Sequence, residues 1–187
     1  MIVGRFTNTW NSCASLYFVN KVSNDKLLIS EHFKAITGGS FNFDSHKRKI
    51  TWVKDGKEYA PVNVASGIKA FGVMQLLLDT HSINEDKMLI WDEPENHLHP
   101  EWQIKFAELL VRMTQVGVPI VVSSHSPYFI QAIRYFAHQL ELDKYVNYYL
   151  AEETEDGLSE LENVTKDLNR IFLKLAQPMN AIVNLGL

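Results

Sequence analysis

The stretch Met88–Trp102, MLIWDEPENHLHPEW, starts as a short apolar run and ends it with two adjacent carboxylates, Asp92 and Glu93. A run of four apolar residues closed by Pro94 has the length of a strand and not of a helix. A strand that is apolar along its whole length belongs in a buried, parallel sheet, so the acidic pair must stand at the strand's end. In open sheets of that kind ligands sit outside the carboxyl ends of the strands, where loops diverge and helix N-termini converge. Asp92 and Glu93 are therefore candidates for chemistry on the sheet rim. The competing reading is a plain turn in which Pro94 only stops the strand.

The flanking sequence repeats the pattern. A helix of about Gly67 to Asp79, with Ile68, Phe71, Met74, Leu77 and Leu78 on one side, precedes the strand Met88–Trp91. A helix from Pro100 to about Gln115 follows, burying Trp102, Phe106, Leu109, Leu110 and Met113. The strand VPIVVSS (118–124), a helix from Pro127 striped by Phe129, Ile130, Ile133, Phe136 and Leu140, and the strand YVNYYLA complete the series. This alternation predicts an α/β fold, a largely parallel sheet flanked by helices through crossovers that cover both faces. Beyond it, the acidic run AEETEDGLSELE reads as a solvated hairpin turning at Asp156-Gly157, and VTKDLNRIFLKLAQP as a packing helix striped by Val164, Leu168, Ile171, Phe172 and Leu175.

Upstream of residue 62 the rhythm differs. A helical candidate over about Phe18–Ile36 is closed by Gly38-Gly39, and two extended runs, SFNFD and KITWVKDGKEYAPV, follow, the second folding back at Asp55-Gly56. Two segments are expected: an N-terminal helix and β-hairpin segment, 1–62, and the α/β part, 63–187. The basic cluster HKRK (46–49) lies between strands and reads as a solvated turn; a phosphate-tracking role is the alternative.

Composition bounds the rest. The chain has 187 residues, 46% hydrophobic and 21% charged, enough for one well-buried domain. No run approaches the roughly eighteen apolar residues of a bilayer span, and the first residues lack a signal-peptide pattern, so a cytoplasmic, non-membrane protein is expected. The single cysteine, Cys13, forms no internal disulfide and reads as a small packed residue. A net charge of -4 gives no general attraction to nucleic acid.

A second polar cluster, SSHSP (123–127), closes the next strand as Asp92-Glu93 closes the first. On parallel strands His125 and the carboxylates share one rim. Such a set suits magnesium and attack on a phosphate: one carboxylate for the metal's water shell, one to polarise water, an imidazole to donate to a phosphoryl oxygen.

MLIWDEPENHLHP resembles the Walker B and D-loop segment of ABC-class ATPases, particularly the soluble bacterial AAA/ABC-type proteins related to the structural-maintenance-of-chromosomes and RecF groups, some of them of the anti-phage defence type. SSHSP is similar to their switch-histidine loop, and VASGIKAF to the signature motif in a divergent Ser-x-Gly-x-Lys form. The resemblance runs over about Val62–Leu140 and implies a P-loop NTPase fold of the ABC-ATPase kind, its C-terminal lobe, with ATP and Mg2+ as cofactors. It implies that Asp92 holds the metal's water shell, that Glu93 is the general base and that His125 senses the γ-phosphate. Ser66, Gly67 and Lys69 would meet the nucleotide of the opposite subunit, and Glu95–Pro100 would be a D-loop crossing a dimer interface, by self-association or with a partner ATPase subunit; DNA or a defence effector protein would be a further partner. The start of a helix at Ser66-Gly67 independently suits an anion.

One departure stands against this agreement. No Gly-Lys-Ser or Gly-Lys-Thr occurs, and the one Gly-Lys, Gly56-Lys57, falls in a predicted hairpin turn. The chain is therefore expected to be the C-terminal portion of a longer ATP hydrolase, inactive alone. Two other readings stay open: a non-catalytic module completing a partner's ATP site in trans, and a metal-dependent phosphohydrolase or nuclease using Asp92, Glu93, His97 and His99. His97 and His99 would then ligate metal; otherwise they pack and cap the helix that starts at Pro100.

Overall fold

The computed structural model describes residues 2–4, 29 and 31–184. In chain order the elements are β1 (Ile2–Gly4), α1 (31–37), β2 (Ser40–Asp44), β3 (Lys49–Lys54), β4 (Lys57–Tyr59), α2 (Ser66–Asp79), β5 (Leu89–Asp92), α3 (Pro100–Gln115), β6 (Ile120–Ser123), α4 (Pro127–Gln139), β7 (Asn147–Glu153), β8 (Ser159–Asn163) and α5 (Asn169–Asn184).

A mixed five-stranded sheet in the order β5-β6-β1-β7-β8 forms the frame. β5 and β6 pair in parallel, Asp92 opposite Ser123. β1 lies antiparallel to both β6 and β7, so β5, β6 and β7 all run the same way, as the two helical crossovers between them predict. The three-residue β1 was not expected: it is too short to show a period, and its place is set by the two neighbours that hydrogen-bond it. β8 closes the edge through an antiparallel hairpin in which Gly157 takes φ +75°.

The helices expected to flank the sheet are present, and among the described residues one face carries the main core. Leu89, Ile120, Val122, Tyr148 and Leu150 share a face by register and are buried in the main core. On the other face Ile90 is 69% exposed and Val121 half-buried. Among the described residues, then, the β5 side of that face is open, and Asp92 and Ser123 share its parity.

The core centres on Phe106 of α3. Its ring meets Phe71 of α2 edge-on at 4.9 Å and Trp91 of β5 edge-on at 5.7 Å, and stacks with Phe129 of α4. Phe71 also meets Trp102 at 5.5 Å. Edge-to-face pairs add about 0.5–1.5 kcal/mol each beyond burial, so this cluster pins the end of β5, and with it Asp92, against three helices.

The second sheet, β2-β3-β4, is the predicted meander, and Asp55 and Gly56 both take positive φ, as a type I′ turn requires. HKRK is an exposed turn in which Asp44 Oδ1 accepts from the His46 and Lys47 N–H groups. Phe41 and Trp52 pack this sheet on α2 at Gly72. The helix predicted over 18–36 lies mostly outside the described residues, as does Cys13; its last turns are α1, ended by Gly38 at φ +73°. α5 begins within the stretch read as a packing helix and runs past Pro178 to Asn184.

Candidate active site

The rim at the ends of β5 and β6 gathers the residues singled out from the sequence. Register places Asp92 beside Ser123, and the Ser123 hydroxyl donates to Asp92 Oδ1. The backbone of Glu93 leaves the strand at φ +46°, a left-handed conformation that a non-glycine residue enters only under constraint. The constraint is visible: the Glu93 N–H donates to Ser123 O at 3.2 Å and to Ser123 Oγ at 3.1 Å. Turned in this way, Glu93 Oε1 meets His125 Nδ1 at 2.8 Å. An ionised carboxylate only accepts, so in that pair Nδ1 carries the hydrogen and Nε2 remains for a ligand. Asp92 and His125 are exposed and Glu93 is half-buried, so all three are open to solvent at the rim.

The segment after Glu93 is a compact turn. Asn96 N–H donates to Glu93 O, Leu98 N–H to Glu95 O, and His97 takes φ +64°. His99 caps α3, its Nδ1 accepting from the Glu101 N–H at 3.3 Å, which is the capping alternative read from the sequence. Glu101, in the first turn, is held below the usual carboxylate range by its hydrogen bond to Lys105, and its negative charge complements the helix dipole. Among the described residues no three or more His, Cys, Asp or Glu side chains converge where they could hold a metal. His97 and His99 thus do not join Asp92 and Glu93 in a metal-dependent nuclease site.

α2 begins at Ser66 after Ala65, which supplies no side-chain cap, and no acidic residue lies in its first turn. An added Cβ on Gly67 would come 2.8 Å from Leu98 Cδ2, so a glycine at this position lets the start of α2 rest against the turn after Glu93. Ser66, Gly67 and Lys69 make no hydrogen bond or ion pair with Asp92, Glu93 or His125. The structure therefore brings Asp92, Glu93 and His125 together and leaves the α2 residues apart from them.

Three participants escaped the sequence reading. Ser123 clamps Asp92 and the Glu93 amide; its signal was its place, the last residue of the strand beside Asp92. Glu95 is buried, its Oε1 accepting from the Ser124 hydroxyl. Gln103 of α3 spans two loops: its Nε2 donates to Leu98 O, and its Oε1 accepts from the Ser126 hydroxyl, the N-cap of α4.

Residues 13–131 match the family model described as "AAA domain, putative AbiEii toxin, Type IV TA system". The chain belongs to this AAA family. The match begins well before Val62, where the resemblance read from motifs began, and takes in the β2-β3-β4 sheet. Relatives of this AAA domain include an uncharacterized protein of Methanocaldococcus jannaschii, MJ1542, 28% identical over 125 residues, 62% of this chain and 15% of that protein. The chain thus spans about 15% of the length of that curated relative. A solved structure described as "Structural biochemistry of ATP-driven dimerization and DNA stimulated activation of SMC ATPases" shares the fold, with a TM-score of 0.56 at 14% identity over 85% of this chain and 95% of that one. The AAA domain thus shares the fold of that solved SMC ATPase.

Proposed function

We propose that this AAA domain carries the hydrolytic half of a Mg–ATP site, and that the phosphate-holding half is supplied by further chain or by a partner. The observation that carries the reading is the Glu93–His125 contact of 2.8 Å beside Asp92, on the rim of two parallel strands. Asp92 is an exposed carboxylate, and among the described residues no three or more His, Cys, Asp or Glu side chains gather around it, which fits magnesium, an ion that keeps most of its waters and takes the rest of its shell from phosphate. When bound, Mg–ATP supplies the electrophilic phosphoryl group and its charge neutralisation. Asp92, its orientation fixed by Ser123, would hold the metal's water shell. Glu93 uses the oxygen not engaged by His125 to accept a proton from the attacking water. His125, oriented through Nδ1, presents Nε2 to a phosphoryl oxygen.

The start of α2 supports a role toward a second nucleotide. Its first N–H groups lack a side-chain cap, and among the described residues Ser66, Gly67 and Lys69 make no hydrogen bond with Glu93, which suits residues that meet the nucleotide of an opposing subunit. The turn Glu95–Pro100 packs on that helix start through Leu98, so both would face the same dimer interface. On this reading residues 63–187 are the C-terminal lobe of an ABC-type ATPase, residues 1–62 an attached segment, and DNA or a defence effector the object of the ATP cycle. The uncapped helix also supports the alternative in which the chain only completes a partner's site in trans.

The test is Glu93→Gln in the protein completed by its phosphate loop. General-base catalysis contributes about 10²–10⁴-fold, so turnover should fall by at least about 100-fold while nucleotide binding persists. Unchanged turnover would remove Glu93 from the role.

A further inference from the structure

We infer that Glu95 is a positioning residue, a buried strut that ties the turn after Glu93 to the His125 loop and so fixes the Glu93–His125 contact. The inference rests on the reading of Glu93 and His125 as the hydrolytic pair. Glu95 is 2% exposed, and a carboxyl group is rarely buried so fully without a structural reason. Its Oε1 accepts from the Ser124 hydroxyl, whose oxygen in turn accepts the Ser126 N–H at 3.1 Å. Those two serines flank His125. At the other end of the turn Leu98 N–H donates to Glu95 O, and Leu98 O accepts from Gln103, whose side chain also holds Ser126. The chain Glu95–Ser124–Ser126–Gln103–Leu98 is therefore a closed ring of hydrogen bonds joining the two loops on the buried side of the rim.

The ring has one gap. Among the described residues Glu95 Oε2 is buried and has no partner. An alanine at 95 would remove the carboxylate that orients the Ser124 hydroxyl toward the turn and so weaken its hold on the Ser126 N–H. A glutamine would keep an acceptor for Ser124. Among the described residues Glu95 makes no hydrogen bond with Glu93 or His125, so its influence on them runs through Ser124 and the turn.

Nuclear magnetic resonance of the full chain without nucleotide tests this separately from ATP hydrolysis. In Glu95→Ala and in Ser124→Ala the Ser126 amide should exchange roughly tenfold faster, the effect of losing one buried hydrogen bond. The His125 ring nitrogens should change from one fixed tautomer to an average of two. Glu95→Gln should keep both signatures, and amides of the Phe106 core should be unaffected. The double variant should lose no more than either single one, because both break one link. The strut is overturned if a folded Glu95→Ala keeps the fixed His125 tautomer and slow Ser126 exchange, or if the two losses add. Should Glu95→Ala fail to fold, Ser124→Ala alone decides, with a fixed His125 tautomer as the refuting result. A separate failure, wild-type ATP turnover in Glu93→Gln, would count against the hydrolytic reading and leave the exchange data standing.

Discussion

Glu93 illustrates how a single residue is held for chemistry. Its left-handed backbone costs on the order of 1 kcal/mol, and the two hydrogen bonds that its N–H donates to Ser123 O and Oγ offset that cost. Sequence reasoning placed Asp92, Glu93 and His125 at strand ends, because strand length and register decide that much. It did not yield the positive φ, Ser123 or Glu95, because these depend on which atoms of neighbouring strands meet, and no residue type announces that. Tyr148 shows the opposite case, a buried polar group with nothing to do. Its hydroxyl has no partner among the described residues, and burial pushes its ionisation far above the usual tyrosine range. Leaving a hydroxyl unpaired in the core costs about 1–3 kcal/mol. Tyr148→Phe keeps the ring packing and removes the orphan. Its urea-unfolding free energy should equal the wild type's or exceed it by about 1 kcal/mol, and a clear loss would mean that the hydroxyl has a partner.

At the scale of elements, α2 is the part that ties the small sheet to the large one. An added Cβ at Gly72 would fall 2.1 Å from Phe41 Cε2, and the neighbouring Gln75 side chain accepts from the Phe41 N–H and donates to Phe41 O. Glycine inside a helix is unfavourable by about 1 kcal/mol relative to alanine, so its presence here is a packing choice. Gly72→Ala should destabilise the protein by about 1–3 kcal/mol, the usual cost of overpacking, despite its better helix propensity. Pairing it with Phe41→Leu should recover part of the loss; stability equal to wild type in Gly72→Ala alone would show that Phe41 can move aside. The sequence showed α2, α3 and α4 nearly to the residue, since each has a long apolar stripe and a proline or small polar residue at its start. It showed β5, β6 and β7 by their apolar runs. It missed β1, which has only three residues, and it did not show how far each face of the sheet is packed, because an apolar strand such as Leu89–Asp92 looks the same whether one face or two are covered. The packing helix read over residues 164–178 is α5, Asn169–Asn184, which continues through Pro178.

For the molecule as a whole, the open face of the large sheet and the rim above it belong together. Ile90 lies exposed on the face that Asp92 and Ser123 share, and no Gly-Lys-Ser or Gly-Lys-Thr loop occurs anywhere in the chain to wrap phosphates with backbone N–H groups. Asp92, Glu93 and His125 can orient water and metal, but two of the three are anionic and would repel a bare triphosphate. The isolated polypeptide should therefore bind Mg–ATP no more tightly than about 1 mM. A ligand at a concentration equal to its Kd stabilises by about 0.4 kcal/mol, and for a chain of this size about 1 kcal/mol moves Tm by 2–4 °C. In 1 mM Mg–ATP the melting temperature should thus rise by about 1 °C or less. Micromolar affinity would stabilise by about 4 kcal/mol and raise Tm by roughly 8–16 °C. A shift of that size in the isolated chain would mean that these residues hold the triphosphate unaided, and the division of the site into a hydrolytic and a phosphate-holding half would have to be abandoned.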